Sequence, residues 1–276
     1  SRGYFKESLA SSPLVSIVSV VFNGEKDLEQ TIRSVLSQTY DNVEYVVIDG
    51  GSTDGTLRIM QRYAEAIDYW VSESDEGIAD AWNKGLSLVA GDIIGFLNSG
   101  DWYEPDAVEH VVSTFLADGG ARVVHGNIKR WNDRGTKIKG VVGPTPGIDT
   151  VSLRSMPVNH PTCFVRKSVY EEHGVYCTSY KSAMDYEFIA RLLRSKVKFV
   201  YLPKVLTNMR SGGISSSSMA LKESREIAVL YGVSGKAANL DYMGRLLVYH
   251  CARIAERLRL RTVLGRVYRK MHPRYL

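Results

Sequence analysis

VEYVVIDGGSTDGT at residues 43–56, SESDEGIADAWNKG at 72–85 and GDIIGFLNSGD at 91–101 set acidic residues where apolar runs stop. In the first block Val43, Tyr45, Val46, Val47 and Ile48 lead into Asp49, Gly50 and Gly51, the pattern of a buried strand opening into a tight turn. Ser52, Thr53 and Asp54 then supply N-cap chemistry for a helix through Leu57, Ile59 and Met60. The third block repeats the design, with Ile93, Ile94, Phe96 and Leu97 ending in Asn98, Ser99, Gly100 and Asp101. Ligands of open α/β sheets bind at the carboxyl ends of strands, so Asp49 and Asp101 are expected in one crevice.

Outward from this stretch the alternation continues. Leu14 to Phe22 predicts a first strand ending at Asn23 and Gly24, and Leu28, Ile32, Val35 and Leu36 recur at helical spacing. Ile67 to Val71 reads as a short strand, Ile78 to Val89 as a helix and Asp92 to Leu97 as a fourth strand. Strand followed by helix, repeated through this region, predicts an α/β fold with a mostly parallel sheet covered on both faces. Further along, the pattern predicts a helix over 107–117, strands over 122–128 and 137–142, and a short extended piece at 162–165. A helix begins at Asp185, and two strands at 197–202 and 205–209 are separated by Pro203. Residues 211–218 (SGGISSSS) read as a flexible segment of small residues, with long helices after it.

A hydrophobic content of 44% and a charged content of 24% suit a soluble globular protein with a substantial core. The net charge of +5 is unevenly placed: from Arg245 to Leu276 nine Lys and Arg stand against one Glu, a net of +8, which leaves the first 244 residues at −3. Cys163, Cys177 and Cys251 have no metal-type spacing, and their odd number argues against a disulfide framework, so reduced thiols in a cytoplasmic setting are expected. No run approaches the roughly 18 apolar residues of a membrane-spanning helix, and the first residues lack the apolar core of a signal peptide.

Asn23 at a strand end, DGGSTDGT, DEGIADAWNKG (75–85), the NSGD turn and MDYEF (184–188) together resemble glycosyltransferase family 2 over roughly residues 13–218. The resemblance implies the GT-A fold, a Rossmann-like sheet flanked by helices, and an inverting transferase that holds a nucleoside-diphosphate sugar with a divalent metal. It divides the chain into a catalytic domain over 1–218, with a nucleotide-sugar half at 13–101 and an acceptor half at 102–218, and a basic helical extension over 219–276. By position Asp49 matches an acid that contacts the nucleobase in such enzymes, with Asn23 nearby; the rival roles are capping the turn and supplying its geometry. Asp75, Asp80, Asn83 and Lys84 border the nucleotide and donor sugar in the family, Lys84 being able to neutralise phosphate; as plain residues they are first-turn acids favoured by the helix dipole and a solvated charge. Asn98 and Ser99 join this donor-binding set.

Asp101 is the expected ligand for Mn²⁺ or Mg²⁺, which offset pyrophosphate charge through oxygen ligands. The family's acidic cluster is reduced here to Asn98, Ser99, Gly100 and Asp101, so His160 in NHPT is named as a second ligand, against the alternative of a structural or proton-carrying histidine. Asp185 is the expected general base that takes the acceptor hydroxyl's proton, with Glu187 as the rival and an N-cap role as the other reading of Asp185. Gly212, Gly213 and Ser215, hinged at a phosphate-facing Arg210, form either a lid over the donor or an ordinary loop.

In the tail Ile254, Leu258, Leu260, Leu264 and Val267 alternate with arginines, which suits an interfacial helix on an anionic membrane, or else a helix packing on the domain or on a partner subunit. The expected partners are therefore a UDP-linked donor, a saccharide or lipid-linked saccharide acceptor in cell-surface polysaccharide or glycolipid synthesis, and the inner face of the membrane. Oligomeric state stays open. A non-catalytic nucleotide-sugar binder is the competing function. Nucleic acid is not an expected partner, because the basic residues do not form a broad face with interleaved aromatics.

Overall fold

The computed structural model describes residues 6–145, 153, 155–211 and 217–257. Its first half is the expected alternation: β1 (Val15–Val21), α1 (Leu28–Leu36), β2 (Val43–Asp49), α2 (Thr56–Arg62), β3 (Tyr69–Ser72), α3 (Ile78–Leu88) and β4 (Ile93–Phe96). These four strands are parallel in the order β3-β2-β1-β4, with Val21 opposite Asp49 and Asp49 opposite Ser72. Strand ends at Val21, Asp49, Ser72 and Phe96 therefore open on the same edge.

The second half adds β5 (Trp102–Tyr103), α4 (Ala107–Ala117), β6 (Val123–Trp131), β7 (Ile138–Val142), a 3₁₀ turn at His160–Thr162, β8 (Phe164–Arg166), α5 (Lys167–His173), α6 (Met184–Arg194), β9 (Phe199–Arg210), α7 (Ser218–Leu230) and α8 (Gly235–Arg257). β8 pairs antiparallel with β4, and the sheet continues through β6 and β9 to β5, with β7 hairpinned onto β6.

Alternation along β1 decides the two faces. Val15, Ile17 and Val21 join Leu28, Ile32 and Val35 of α1, Met60 of α2, and Val108, Val111 and Phe115 of α4. Val18 and Val20 face the opposite way, among Ala81 and Trp82 of α3, Val169 and Tyr170 of α5, and Phe188, Ile189 and Leu192 of α6. A strand this apolar on both faces is what a sheet covered by helices on each side requires.

One expectation is corrected. The two strands around Pro203 are one strand, β9: pairing steps from His125 opposite Tyr201 to Asn127 opposite Val205, so the residues around Pro203 bulge from the ladder and the missing N–H breaks no hydrogen bond. β5 and α5, each too short for a periodic signal, were not expected. Tyr186 and Ala190 of α6 bury against Ile227 and Ala228 of α7 and Val233 and Ala238 beyond it. Gly212, Gly213 and Ser215 lie outside the described residues, as do Leu258, Leu260, Leu264, Val267 and the side chain of Ile254.

Candidate active site

The turn after β2 is self-contained. Asp49 is fully buried; Oδ2 accepts from Ser52 N (3.0 Å) and Ser72 Oγ (2.6 Å), and Oδ1 accepts from Ser52 Oγ (2.5 Å). The Ser52 hydroxyl in turn accepts from Asn23 N (2.7 Å), and Asn23 Oδ1 accepts from Thr53 N (2.9 Å). Asn23 has a left-handed φ of 51°, a conformation asparagine tolerates better than most residues. Asp49 and Asn23 thus knit two strand ends together. The Asp49 carboxylate, expected at the nucleobase, is engaged by three protein donors and has no exposure. The carboxylate that lies over this turn is that of Asp75: a methyl on Gly50 would come within 2.3 Å of its Oδ2, while its Oδ1 accepts from Gly77 N (2.8 Å).

The turn after β4 is built the other way. Asp101 N donates to Asn98 O (3.0 Å), and Gly100 takes a φ of 99° that a side chain would strain. Thr31 of α1 clamps it, accepting from Gly100 N (3.1 Å) and donating to Asp101 O (2.7 Å). The Asp101 carboxylate accepts at Oδ1 from the backbone N–H of Arg210 (3.2 Å), and its other oxygen has no protein donor among the described residues. Burial pushes its pKa up to about 7, the Arg210 backbone bond and charge opposing. Arg210, at the end of β9, pairs with Asp27 and stacks 5.6 Å from the Trp102 ring centroid. Its Nε and the hydroxyl of Ser99 are buried without a partner among the described residues, and Ser99 abuts Gly24 beside Asn23. A hard divalent cation takes oxygen ligands, and a carboxylate with one free oxygen beside an unengaged hydroxyl suits a cation carrying phosphates, although the terminal nitrogens of Arg210 are held by Asp27 and Gln30 and only its Nε is free.

His160 does not complete such a shell. Its ring stacks on Trp82 (4.7 Å between centroids, 25° between planes), Nε2 bonds the Tyr176 hydroxyl (2.9 Å), and burial pushes its pKa down to about 3. Among the described residues no group of three or more His, Cys, Asp or Glu side chains could hold a metal ion. His160 belongs instead to an aromatic layer with Trp82, Phe96 and Tyr176. Trp82 Nε1 donates to Asn98 Oδ1 (3.0 Å), which ties the layer to the β4 turn.

The α3 block is also largely engaged with protein. Asn83 is bonded at both ends of its amide to the backbone of Tyr176 (2.9 and 3.0 Å), and Asp80 Oδ2 accepts from Glu76 N (3.1 Å) in front of its own helix. Lys84 Nζ reaches Ser74 O (2.9 Å), Glu73 (3.0 Å) and Asp80 (3.5 Å), so its charge is balanced by acids rather than presented to a ligand.

Asp185, the second residue of α6, is the other little-engaged carboxylate. Oδ1 accepts from Tyr186 N (2.8 Å), and burial pushes its pKa up to about 6. The N-cap is Ala183, so Asp185 is not the cap. Glu187, the rival base, is engaged by protein: it pairs with Arg191 (2.9 Å) and accepts from the Tyr231 hydroxyl (2.6 Å). Burial holds the Tyr176 hydroxyl far above its usual pKa, with the charge of Asp185 the smallest of the influences that add to it. Thr31, Asp27, Trp82 and Tyr176, which assemble these parts, carry no local sequence signal: their partners are between 16 and 183 residues away.

Solved structures share this fold. TarS of S. aureus in complex with UDP-GlcNAc matches with a TM-score of 0.64 at 18% identity, over 83% of this chain and 70% of its own. The mannosyltransferase PcManGT of Pyrobaculum calidifontis, in complex with GDP-Man and Mn²⁺, matches at 0.64 and 17% identity, over 94% and 84%. The fold is that of GT-A glycosyltransferases, and the protein is a glycosyltransferase. Its sequence is more specific: the sequence model of Glycosyl transferase family 2 matches residues 16–174, and the chain belongs to that family. An uncharacterised glycosyltransferase of Mycobacterium tuberculosis (strain H37Rv) is 33% identical over 190 residues, 66% of this chain and 70% of its own. Another, from Haemophilus influenzae, is 29% identical over 216 residues, 76% and 84% of the two chains.

Proposed function

We propose that this glycosyltransferase moves a sugar, with inversion, from a nucleoside-diphosphate sugar to a hydroxyl of a saccharide or lipid-linked saccharide, with Asp185 as general base. The observation that carries this reading is a half-buried carboxylate at the start of α6, weakly engaged and held up at about 6 by desolvation. A base titrating just below neutrality is ionised when needed and still accepts a proton readily. In the step, the acceptor oxygen bonds to the anomeric carbon as its proton passes to Asp185. The bond from that carbon to the diphosphate oxygen breaks, its electron pair leaving with the nucleoside diphosphate.

Asp101 holds Mn²⁺ or Mg²⁺ in this reading; the ion, when bound, supplies positive charge that offsets the pyrophosphate. Arg210 and Ser99 face the same charge, and Asp75 over Gly50 takes the nucleotide position first expected of Asp49. A UDP-linked and a GDP-linked donor have the same kind of support, one neighbour in fold being solved with UDP-GlcNAc and another with GDP-Man.

Peripheral attachment to an anionic membrane has its own support. No helix among the described residues is long and apolar enough to cross a membrane. On α8, however, Leu240 (78% exposed), Met243 (60%) and Leu247 (65%) form an open apolar stripe at helical spacing, ahead of the arginine-rich tail. Thermal stabilisation across a panel of UDP- and GDP-sugars with Mn²⁺, followed by detection of released nucleoside diphosphate, tests the transferase reading. Stabilisation with release supports it; binding with no release under any acceptor condition favours the non-catalytic binder.

A further inference from the structure

Glu223 of α7 lies beyond the residues that the family model matches and is used by none of the roles above. Its carboxylate is buried, with both oxygens engaged: Oε1 accepts from Lys181 N (2.9 Å), and Oε2 from Ser182 N (2.8 Å) and Ala183 N (2.9 Å). Ala183 is the N-cap of α6, and Lys181 and Ser182 lie in the loop that leads into it; an alanine cap offers no side-chain acceptor of its own. Unsatisfied donors at a helix start need an acceptor, and a negative charge there is favoured by the helix dipole. Here the acceptor comes from a different helix, and the reacting carboxylate follows two residues after the last bond.

The same loop reaches the donor side. Lys181 Nζ donates to Glu76 O (3.0 Å), the carbonyl just before Gly77, whose N–H is held by Asp75. The carboxylate is thereby connected through one short loop to the base on one side and to the Asp75 turn on the other. The helix that carries it is fixed by Ile227 and Ala228 packing on Tyr186 and Ala190.

We infer that Glu223 is a positioning residue for sugar transfer, setting Asp185 and the Asp75–Gly77 turn at their working separation by holding residues 181–183. The inference rests on Asp185 being the base. It gives α7 a part in the machinery, through the loop that leads into the helix bearing the base.

The electrostatics run in the same direction. Burial dominates the upward shift of Asp185, the backbone N–H groups of Tyr186 and Asp185 oppose it, and the charge of Glu223 adds to it. Removing the Glu223 charge therefore moves the titration of Asp185 to lower pH.

Glu223→Gln, which keeps the shape and loses the charge and one acceptor, is the test. With the nucleotide sugar that the donor panel identifies, kcat falls roughly 10- to 100-fold, as misplacement of a reacting group does. The KM for donor stays unchanged, and the acid limb of kcat moves to lower pH. Glu223→Asp restores that limb toward wild type. Carbon-13 titration of Asp185 in the free protein, assigned by loss of its signal in Asp185→Asn, moves the same way in Glu223→Gln. A variant that is less stable but keeps wild-type kcat and an unmoved Asp185 titration overturns the inference. Should Glu223→Gln fail to fold, Lys181→Met, which cuts the tie to Glu76 at an exposed side chain, lowers kcat at unchanged stability; an unchanged kcat overturns it. If the wild type consumes no nucleotide sugar, the transferase reading fails, while the Asp185 titration still reads the clamp without turnover.

Discussion

The turn after β2 and the turn after β4 are made of the same parts, an apolar strand, glycines, a serine and an aspartate, and they do opposite things. Asp49 has three protein donors and no exposure, and its turn binds strand to strand. Asp101 is half-buried, with one backbone donor and a free oxygen, and desolvation pushes its pKa to about 7. A buried carboxylate surrounded by donors is structure; one partly desolvated with few donors is costly to the fold and reactive, which is where chemistry is placed. Asp185 falls in the second group.

Variants that treat the three carboxylates alike break or sharpen this contrast. The largest effect is expected from Asp185→Asn, which lowers transfer by roughly 10²- to 10⁴-fold, the usual contribution of general-base catalysis, while calorimetry shows nucleotide affinity near wild type. Next, Asp101→Asn weakens binding of nucleoside diphosphate with Mn²⁺ by at least about tenfold, since even outer-shell changes at metal sites cost that much; equal affinity with and without Mn²⁺ in both proteins contradicts the role. Asp49→Asn keeps the volume but turns donors toward donors. It costs about 2 kcal/mol in urea denaturation, the penalty of buried unpaired groups, with kcat little changed well below the melting point.

A smaller, signed effect concerns pH. Asp185 has a folded pKa of about 6, above its value in an unfolded chain, so between roughly pH 4 and 6 the folded state binds more protons and loses stability as pH rises. Asp185→Asn lacks this loss: it is more stable than wild type above pH 6, and the difference vanishes below pH 4 in thermal melts. The smallest change is expected from Asn83→Ala, about 1 kcal/mol of stability, because its amide serves the Tyr176 backbone and not a ligand.

Much of the fold is legible in the sequence because β1 to α3 are local: each strand is an apolar run, each turn has its glycine, and neighbours in sequence pair in space. The second half is less legible. β5 is two residues long and exists only as a partner of β9, and the path of β9 past Pro203 depends on a bulge opposite β6 that no periodicity reports. In the site, residue type and position bring Asp101, Arg210, Ser99, Asp75 and Asp185 to notice. They do not tell whether a polar group is already engaged. Asp49, Asn83, Lys84 and His160 carry the right chemistry, yet hydroxyls, carbonyls and acids from elsewhere in the chain satisfy them. Glu223 shows the converse, an unremarkable helical glutamate whose three bonds lie 40 to 42 residues upstream.

The most direct test is the pH profile of kcat at saturating donor and Mn²⁺, for the wild type and for the residual activity of Asp185→Asn. The account predicts a rate that rises through a single ionisation at about pH 6 in the wild type and a residual rate without that limb in the variant. A wild-type rate flat from pH 5 to 7, or a limb that survives the substitution, contradicts Asp185 as the base.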